Sequence, residues 1–336
     1  MFVLGIRFRK HRLSIIPCLK GQFWVRNGSP STPLLSGISL NVSKFTITPM
    51  PMICSCILYL SFKPEQQVVD DNLACIEACI REIRQWMKAN FLKLNDDKTE
   101  FILLGSQQQL DKVTVHHITI GGSNIIPVKR VRNLGVIMDS TMSLQPHISH
   151  ISQTTANSLR NLSRIRKHLS KQATEQLVHA FITSRLDMCN SLLFGIHQQQ
   201  LNQLQRRQNT AARLITRTRR SSHITPILQH LHWLPIKFRI MYKLMLLTYR
   251  SLHNTSPPYL STLLAPYHGR SGLRSANQQL LAAPRSHRSW GDRSFHIAAP
   301  RLWNSLPINI RSGTSLSSFK IALKTHYFNL AYITTS

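Results

Sequence analysis

At Pro146 the hydrophobic period of this chain changes, and that change limits what either half can fold into. Over 57–145 the apolar residues come in short runs broken by turn chemistry. Beyond Pro146 they recur at every third or fourth position, the period of a helix with one buried face.

In the first region, the stretch 90–105 reads NFLKLNDDKTEFILLG. Leu92 and Leu94 alternate with polar residues, NDDK supplies a turn, and EFILL continues as a strand, so Asp96 and Asp97 are expected at a hairpin corner. Two further strand signals follow: VTVHHITI, closed by Gly121-Gly122, and VRNLGVIMD, ending at Asp139. Ahead of them, Leu73, Ile76, Ile80, Ile83 and Met87 predict a helix over 72–89, with Asp70 and Asp71 as its caps. The expected fold is α+β: a helix packed on a small antiparallel sheet, followed by a mainly helical region.

That helical region is expected to contain three inward faces. They are Ile148, Ile151, Leu159, Leu162 and Ile165; Leu177, Phe181, Ile182 and Leu186; and Leu201, Leu204, Ala211, Ala212 and Ile215. Next, HITPILQHLHWLPIKFRIMYKLMLLTYRSLH reads as a helix start, a proline-marked turn and a long apolar-basic helix. Trp233, Met241, Leu244 and Met245 are expected in its core. His230 and His232 are expected as surface or hydrogen-bonded histidines, with no carboxylate or cysteine near them in sequence. The divisions are therefore 1–56, loop-rich or disordered; 57–145; 146–255; and 256–336, basic loops with a final helix.

Charge is distributed as unevenly as period. The chain has 42 Lys+Arg and 13 Asp+Glu, a formal net charge of +29. Residues 65–187 are nearly balanced, with 12 acids and 15 bases, whereas 188–336 hold one acid, Asp292, and 19 bases. Such a surface attracts polyanions, and nucleic acid is the partner it suits first. The third helix carries QRRQNTAARLITRTRR, with Arg206, Arg207, Arg213, Arg217, Arg219 and Arg220 and no acid to alternate with them. These six are the chief candidates for phosphate contact, and Lys237, Arg239, Arg270 and Arg274 are secondary.

The six cysteines have no zinc-finger spacing and are expected as buried thiols in a reducing compartment. The longest apolar candidate, PMICSCILYLSF, is too short to span a bilayer. The expectation is an intracellular protein, nuclear or cytoplasmic, with no metal, no cofactor and no small-molecule substrate.

Seven segments in order carry a resemblance: LYLSFKP, WMKANFLKLNDDKTEFILLG, VRNLGVIMDSTMSLQPHI, RLDMCNSLLFG, QRRQNTAARLITRT, HITPILQHLHWLPIKFRI and AAPRLWNSLPINIRSGTSLSSFKIALKTHYF. Together, over 58–328, they resemble the C-terminal part of the reverse transcriptase of LINE-type (non-LTR) retrotransposons. The resemblance implies that 57–145 is a remnant of the palm, 146–255 a thumb-like region and 256–336 the basic C-terminal region, with 1–56 unrelated. In that family a tyrosine-alanine-aspartate-aspartate motif precedes the segment similar to LYLSFKP, and its aspartates hold Mg²⁺. Here Cys54 and Ser55 occupy those two positions, and residues 1–51 contain no acid. Two-metal nucleotidyl transfer needs such carboxylates. The expected function is therefore a non-catalytic, RNA- or DNA-binding remnant without sequence specificity. Two alternatives stay open: a polymerase active only with a partner chain, and a translated fragment with no selected function.

Overall fold

A computed structural model describes residues 3–9, 15–17, 23–25, 53–59, 66–89, 91, 99–267, 278–286 and 289–333. The fold is α+β, and the chain divides into two compact units, Met1–His147 and Ile148–Ser336.

The first unit is built on strand β1 (Val3–Arg9), two short strands β2 (Ile15–Pro17) and β3 (Phe23–Val25), strand β4 (Ile53–Tyr59), helix α1 (Gln66–Ala89) and strand β5 (Glu100–Leu104). β1 lies between β4 and β5 in a three-stranded antiparallel sheet, with Val3 opposite both Tyr59 and Leu104. The expectation that 1–56 is loop-rich fails at this strand. Leu4, Ile6 and Phe8 alternate in a run of seven, a strand pattern too short to register as a sustained period. β2 and β3 pair as a separate hairpin.

β5 is buried on both faces, which is why EFILL is apolar without alternation. Phe101 and Leu103 pack with Val69, Ile76, Ile80 and Met87 of α1, and with Ile118 and Ile120. Ile102 and Leu104 meet Val131 on the opposite side. Complete burial of a side chain such as Phe101 contributes about 2–3 kcal/mol. The helix on the sheet is thus present, and all five of its expected inward residues belong to this core or pack against it, with Leu73 and Ile83 at its edge.

After β5 come a short helix α2 (Gln107–Leu110) and strands β6 (Ile118–Ile120), β7 (Ser123–Ile125), β8 (Arg130–Asn133) and β9 (Val136–Asp139). Only the end of VTVHHITI is strand. Gly121 and Gly122, both at positive φ, turn it into the β6–β7 hairpin. A Cβ on Gly121 would collide with the Arg84 guanidinium, so the Arg84 side chain of α1 lies over this turn. Glu77 of α1 fixes the same hairpin by accepting the Thr119 N–H at 2.7 Å. VRNLGVIMD is likewise two strands: Leu134 and Gly135 take positive φ and fold β8 back on β9.

Two other expectations change in this unit. Asp70 and Asp71 lie inside α1, which starts at Gln66, and both are exposed, so neither is a cap. Cys75 and Cys79 are half-buried and, in the second unit, Cys189 is exposed, so these three are not the buried thiols expected. Asp96 and Asp97 lie outside the described residues.

The second unit takes in α3 (Gln145–Ile165) from Ile148 on, and then α4 (Lys171–Val178), α5 (Ser184–Asp187), α6 (Gln198–Thr216), α7 (Thr225–His230) and α8 (Ile236–Leu252). α9 (Pro258–Ser261), α10 (Ser289–Asp292), α11 (Phe295–Ser305), α12 (Ile308–Arg311) and α13 (Leu316–Tyr332) follow. Its largest core surrounds α8. Leu244, Met245 and Tyr249 pack with Ala298, Ala299 and Trp303 of α11 and with Phe319, Leu323 and Tyr327 of α13. Residues 146–255 and 256–336, separated by composition in the sequence, therefore share apolar packing. Tyr249 stacks on Phe319 at 4.4 Å between ring centroids.

α4 runs into α5 through a π-helical turn at His179–Thr183, and the buried line there is Thr174, Val178, Ile182 and Leu186. A wider turn advances the stripe by four residues each time, leaving Phe181 exposed against expectation. α3 ends at Ile165, which is exposed, and Arg166, the first residue of the turn that follows, takes the buried position instead.

Candidate nucleic-acid interface

α6 positions the basic cluster. Leu204, Gln208, Ala211, Ala212 and Ile215 face inward, and Gln208 Nε2 donates to the Leu234 carbonyl at 2.8 Å. Gln205 Oε1 accepts the Ile236 N–H at 2.9 Å, so α6 grips the turn that launches α8. Arg206 is left on the solvent side, and the chain leaves the helix through Arg217, Arg219 and Arg220, all exposed.

The ten sequence candidates separate by what their guanidinium or ammonium groups do. Arg206, Arg219, Arg220 and Lys237 stand exposed, Lys237 with its ammonium 6.0 Å from the Phe238 ring. Arg207 donates from Nε to the hydroxyl of buried Ser152 at 2.9 Å. Arg213 donates to the Ser222 carbonyl at 3.0 Å and is drawn under the chain that follows α6. Arg217 reaches the Arg166 carbonyl at 3.4 Å. Arg239 is half-buried and paired with Asp187, so its charge is already compensated. Arg270 and Arg274 lie outside the described residues.

Two basic residues missed in the sequence belong to the same place. A cleft of about 600 Å³ opens where α6 ends, lined by Arg166, Lys171, Arg217 and His230, by hydroxyls including Ser170 and Thr218, and, among the described residues, by no acid. Arg166 is 8% exposed and donates to the carbonyls of Leu214 (2.8 Å), Ile215 (3.0 Å) and Leu169 (2.7 Å). Burial, and secondarily the like charge of Arg217, holds its ionisation below the usual arginine range. Its signal in sequence is register: 159, 162 and 166 continue one helical stripe, so an arginine replaces the next apolar residue on the inward face. Lys171 follows Ser170, which caps α4 by accepting the Ala173 N–H at 3.1 Å.

Asp139 ends β9 and is consumed by the loop after it, accepting from Thr141 Oγ1 at 2.6 Å, Ser143 N at 3.0 Å and Leu144 N at 2.8 Å. Among the described residues no three His, Cys, Asp or Glu side chains gather as metal ligands. His230 lines the cleft, and His232 turns to Phe328, with 5.9 Å between ring centroids. No helix of the described residues is long and apolar enough to cross a membrane.

The arrangement can bind anions through arginine and lysine at the end of α6. No family model matches the chain, and neither a curated protein nor a solved structure matches it.

Proposed function

We propose that this chain is a non-catalytic nucleic-acid-binding remnant of a LINE-type retrotransposon reverse transcriptase, holding RNA or DNA by its phosphates. The observation that carries the reading is the exposed set of Arg206 midway along α6 and Arg219 and Arg220 beyond its end, in a stretch with no acid from 188 to 291. Arginine contacts to phosphate position a duplex without reading its bases, so the binding is nonspecific. The engagement of Asp139 by its own loop favours the non-catalytic form of the reading. So do Cys54 and Ser55, which stand where the resemblance expects metal-binding aspartates.

The test is binding of the full chain to a fluorescent RNA hairpin and a matched DNA duplex over a range of salt. Replacing Arg206, Arg219 and Arg220 together by Gln should weaken binding and lower the slope of log affinity against log salt by about 2–3. Unchanged affinity and slope would remove the assignment of this surface.

A further inference from the structure

Three features of the cleft at the end of α6 run against local preference, and one ligand chemistry satisfies all of them. Arg217 closes α6 at φ +54°, the left-handed conformation that glycine usually fills at a helix end. A residue with a Cβ is disfavoured there by about 1 kcal/mol. Lys171 opens α4 at the helix end that already carries positive partial charge, and the first turn of α4 has no acid. Arg166 and Arg217 bring like charges to one cleft whose lining, among the described residues, holds no carboxylate.

Arg166 has a structural reason to be there, since it occupies the last carbonyls of α6. The backbone of Arg217 also has one, since its N–H and that of Thr218 both reach the Arg213 carbonyl and close the helix, but its guanidinium makes only a 3.4 Å hydrogen bond to the Arg166 carbonyl, and the Lys171 ammonium meets no partner among the described residues. An oxyanion between them would offset the like charges and make use of the positive end of α4. Ser170 adds a hydroxyl donor beside the same space.

We propose that this cleft is a phosphate-binding site, with Arg217 and Lys171 as the residues that hold the oxyanion and Arg166 as the charge fixed behind them. It is a single built site, distinct from the diffuse surface formed by Arg206, Arg219 and Arg220. A free phosphate and a phosphate of a nucleic-acid chain present the same chemistry to it.

The experiment is calorimetric titration of the full chain with inorganic phosphate and, separately, with a short single-stranded DNA. The wild type is compared with Arg217→Gly, Lys171→Gln and, as a control that removes an exposed cation outside both surfaces, Lys243→Gln. Arg217→Gly removes the cation while suiting the left-handed backbone, so its melting temperature should be unchanged or higher. The expected result is saturable phosphate binding that falls about tenfold or more in Arg217→Gly and Lys171→Gln and is retained in Lys243→Gln. If phosphate also displaces the DNA and both cleft variants weaken it, the nucleic-acid chain supplies the phosphate. If DNA binding is untouched while phosphate binding is lost, the cleft takes free phosphate. Absence of saturable phosphate binding, or cleft variants no weaker than Lys243→Gln, overturns the site even if DNA still binds. Phosphate binding without any DNA binding would leave the site standing and remove the proposed function.

Discussion

Arg239 Nε donates to Asp187 Oδ1 at 2.8 Å while Arg239 Nη2 donates to Oδ2, a two-point pair that ties α8 to the end of α5. Asn190 Nδ2 adds a hydrogen bond to Oδ1 at 3.3 Å. Planar two-point pairing is the strongest arrangement open to these two groups, although Asp187 is partly solvated. Asp187→Asn should therefore destabilise by about 1 kcal/mol and lower the melting temperature by a few degrees. Arg239→Gln should leave nucleic-acid affinity nearly unchanged, because the charge it removes is already compensated. Thermal melts and the salt titration check the two halves, and a large affinity loss in Arg239→Gln would return that residue to the interface.

Asp139 makes stability depend on acid pH. Burial pushes its carboxyl up, but hydrogen bonds from Thr141, Ser143 and Leu144 outweigh it and hold the group below its ordinary value of 3.8. A carboxyl depressed in the folded state contributes stability that is present above the unfolded value and is lost as pH falls through the folded one. Asp139→Ala should destabilise by about 2 kcal/mol near neutral pH, measured by denaturant unfolding. The gap between wild type and variant should narrow progressively below about pH 4. A gap constant down to the acid limit would show that the carboxylate does not hold the loop.

How much of this was legible depended on whether a residue's neighbours were local. The inward positions of α1, α3 and α6 repeat every third or fourth residue, so Ile76, Ile151 and Ala211 declare their burial in sequence. Phe181 misled because a π turn changes the advance per turn, and nothing local announces one. β1 was missed because its partners lie about 50 and 100 residues away, and seven residues give only three alternations. The arginine cluster of α6 was legible as charge. Which of its members would be spent inside the protein was not, since Ser152 and Ser222 come from other parts of the unit. Arg166 was hidden for the opposite reason: reading arginine as surface overrode a register that placed it inside.

Two tyrosines of α13 should respond to the same substitution with opposite signs. The Tyr332 hydroxyl donates to the Trp233 carbonyl, and burial pushes its ionisation up to about 12. The Tyr327 hydroxyl is buried without a partner among the described residues, and burial raises its ionisation further. Tyr332→Phe should lose about 1 kcal/mol. Tyr327→Phe removes a desolvated, unpaired hydroxyl and should be neutral or stabilising by about 1 kcal/mol. Denaturant midpoints of the two variants decide it, and equal losses would mean that Tyr327 has a partner of its own.

Arg311 tests whether a buried arginine can hold a fold together without an acid. It is 6% exposed, and burial holds its ionisation below the usual arginine range. Its Nε donates to the Gln278 carbonyl at 3.1 Å, and its Nη1 donates to the carbonyls of Asn304 at 3.0 Å and Leu306 at 2.5 Å. The segment at 278–282 is held a second time by Asn304, whose side-chain amide both donates to and accepts from Leu281 at 2.8 Å. Arg311→Met keeps the apolar stem and strands three carbonyls, so it should destabilise by about 3 kcal/mol. Arg311→Lys should recover little of that, because a compact ammonium cannot span carbonyls placed for a planar fork. Asn304→Ala leaves one of the two clamps intact and should be milder than Arg311→Met. The order Arg311→Met, Arg311→Lys, Asn304→Ala, from most to least destabilised in chemical denaturation, is the outcome expected if the arginine is the principal clamp; the reverse order would assign that role to Asn304.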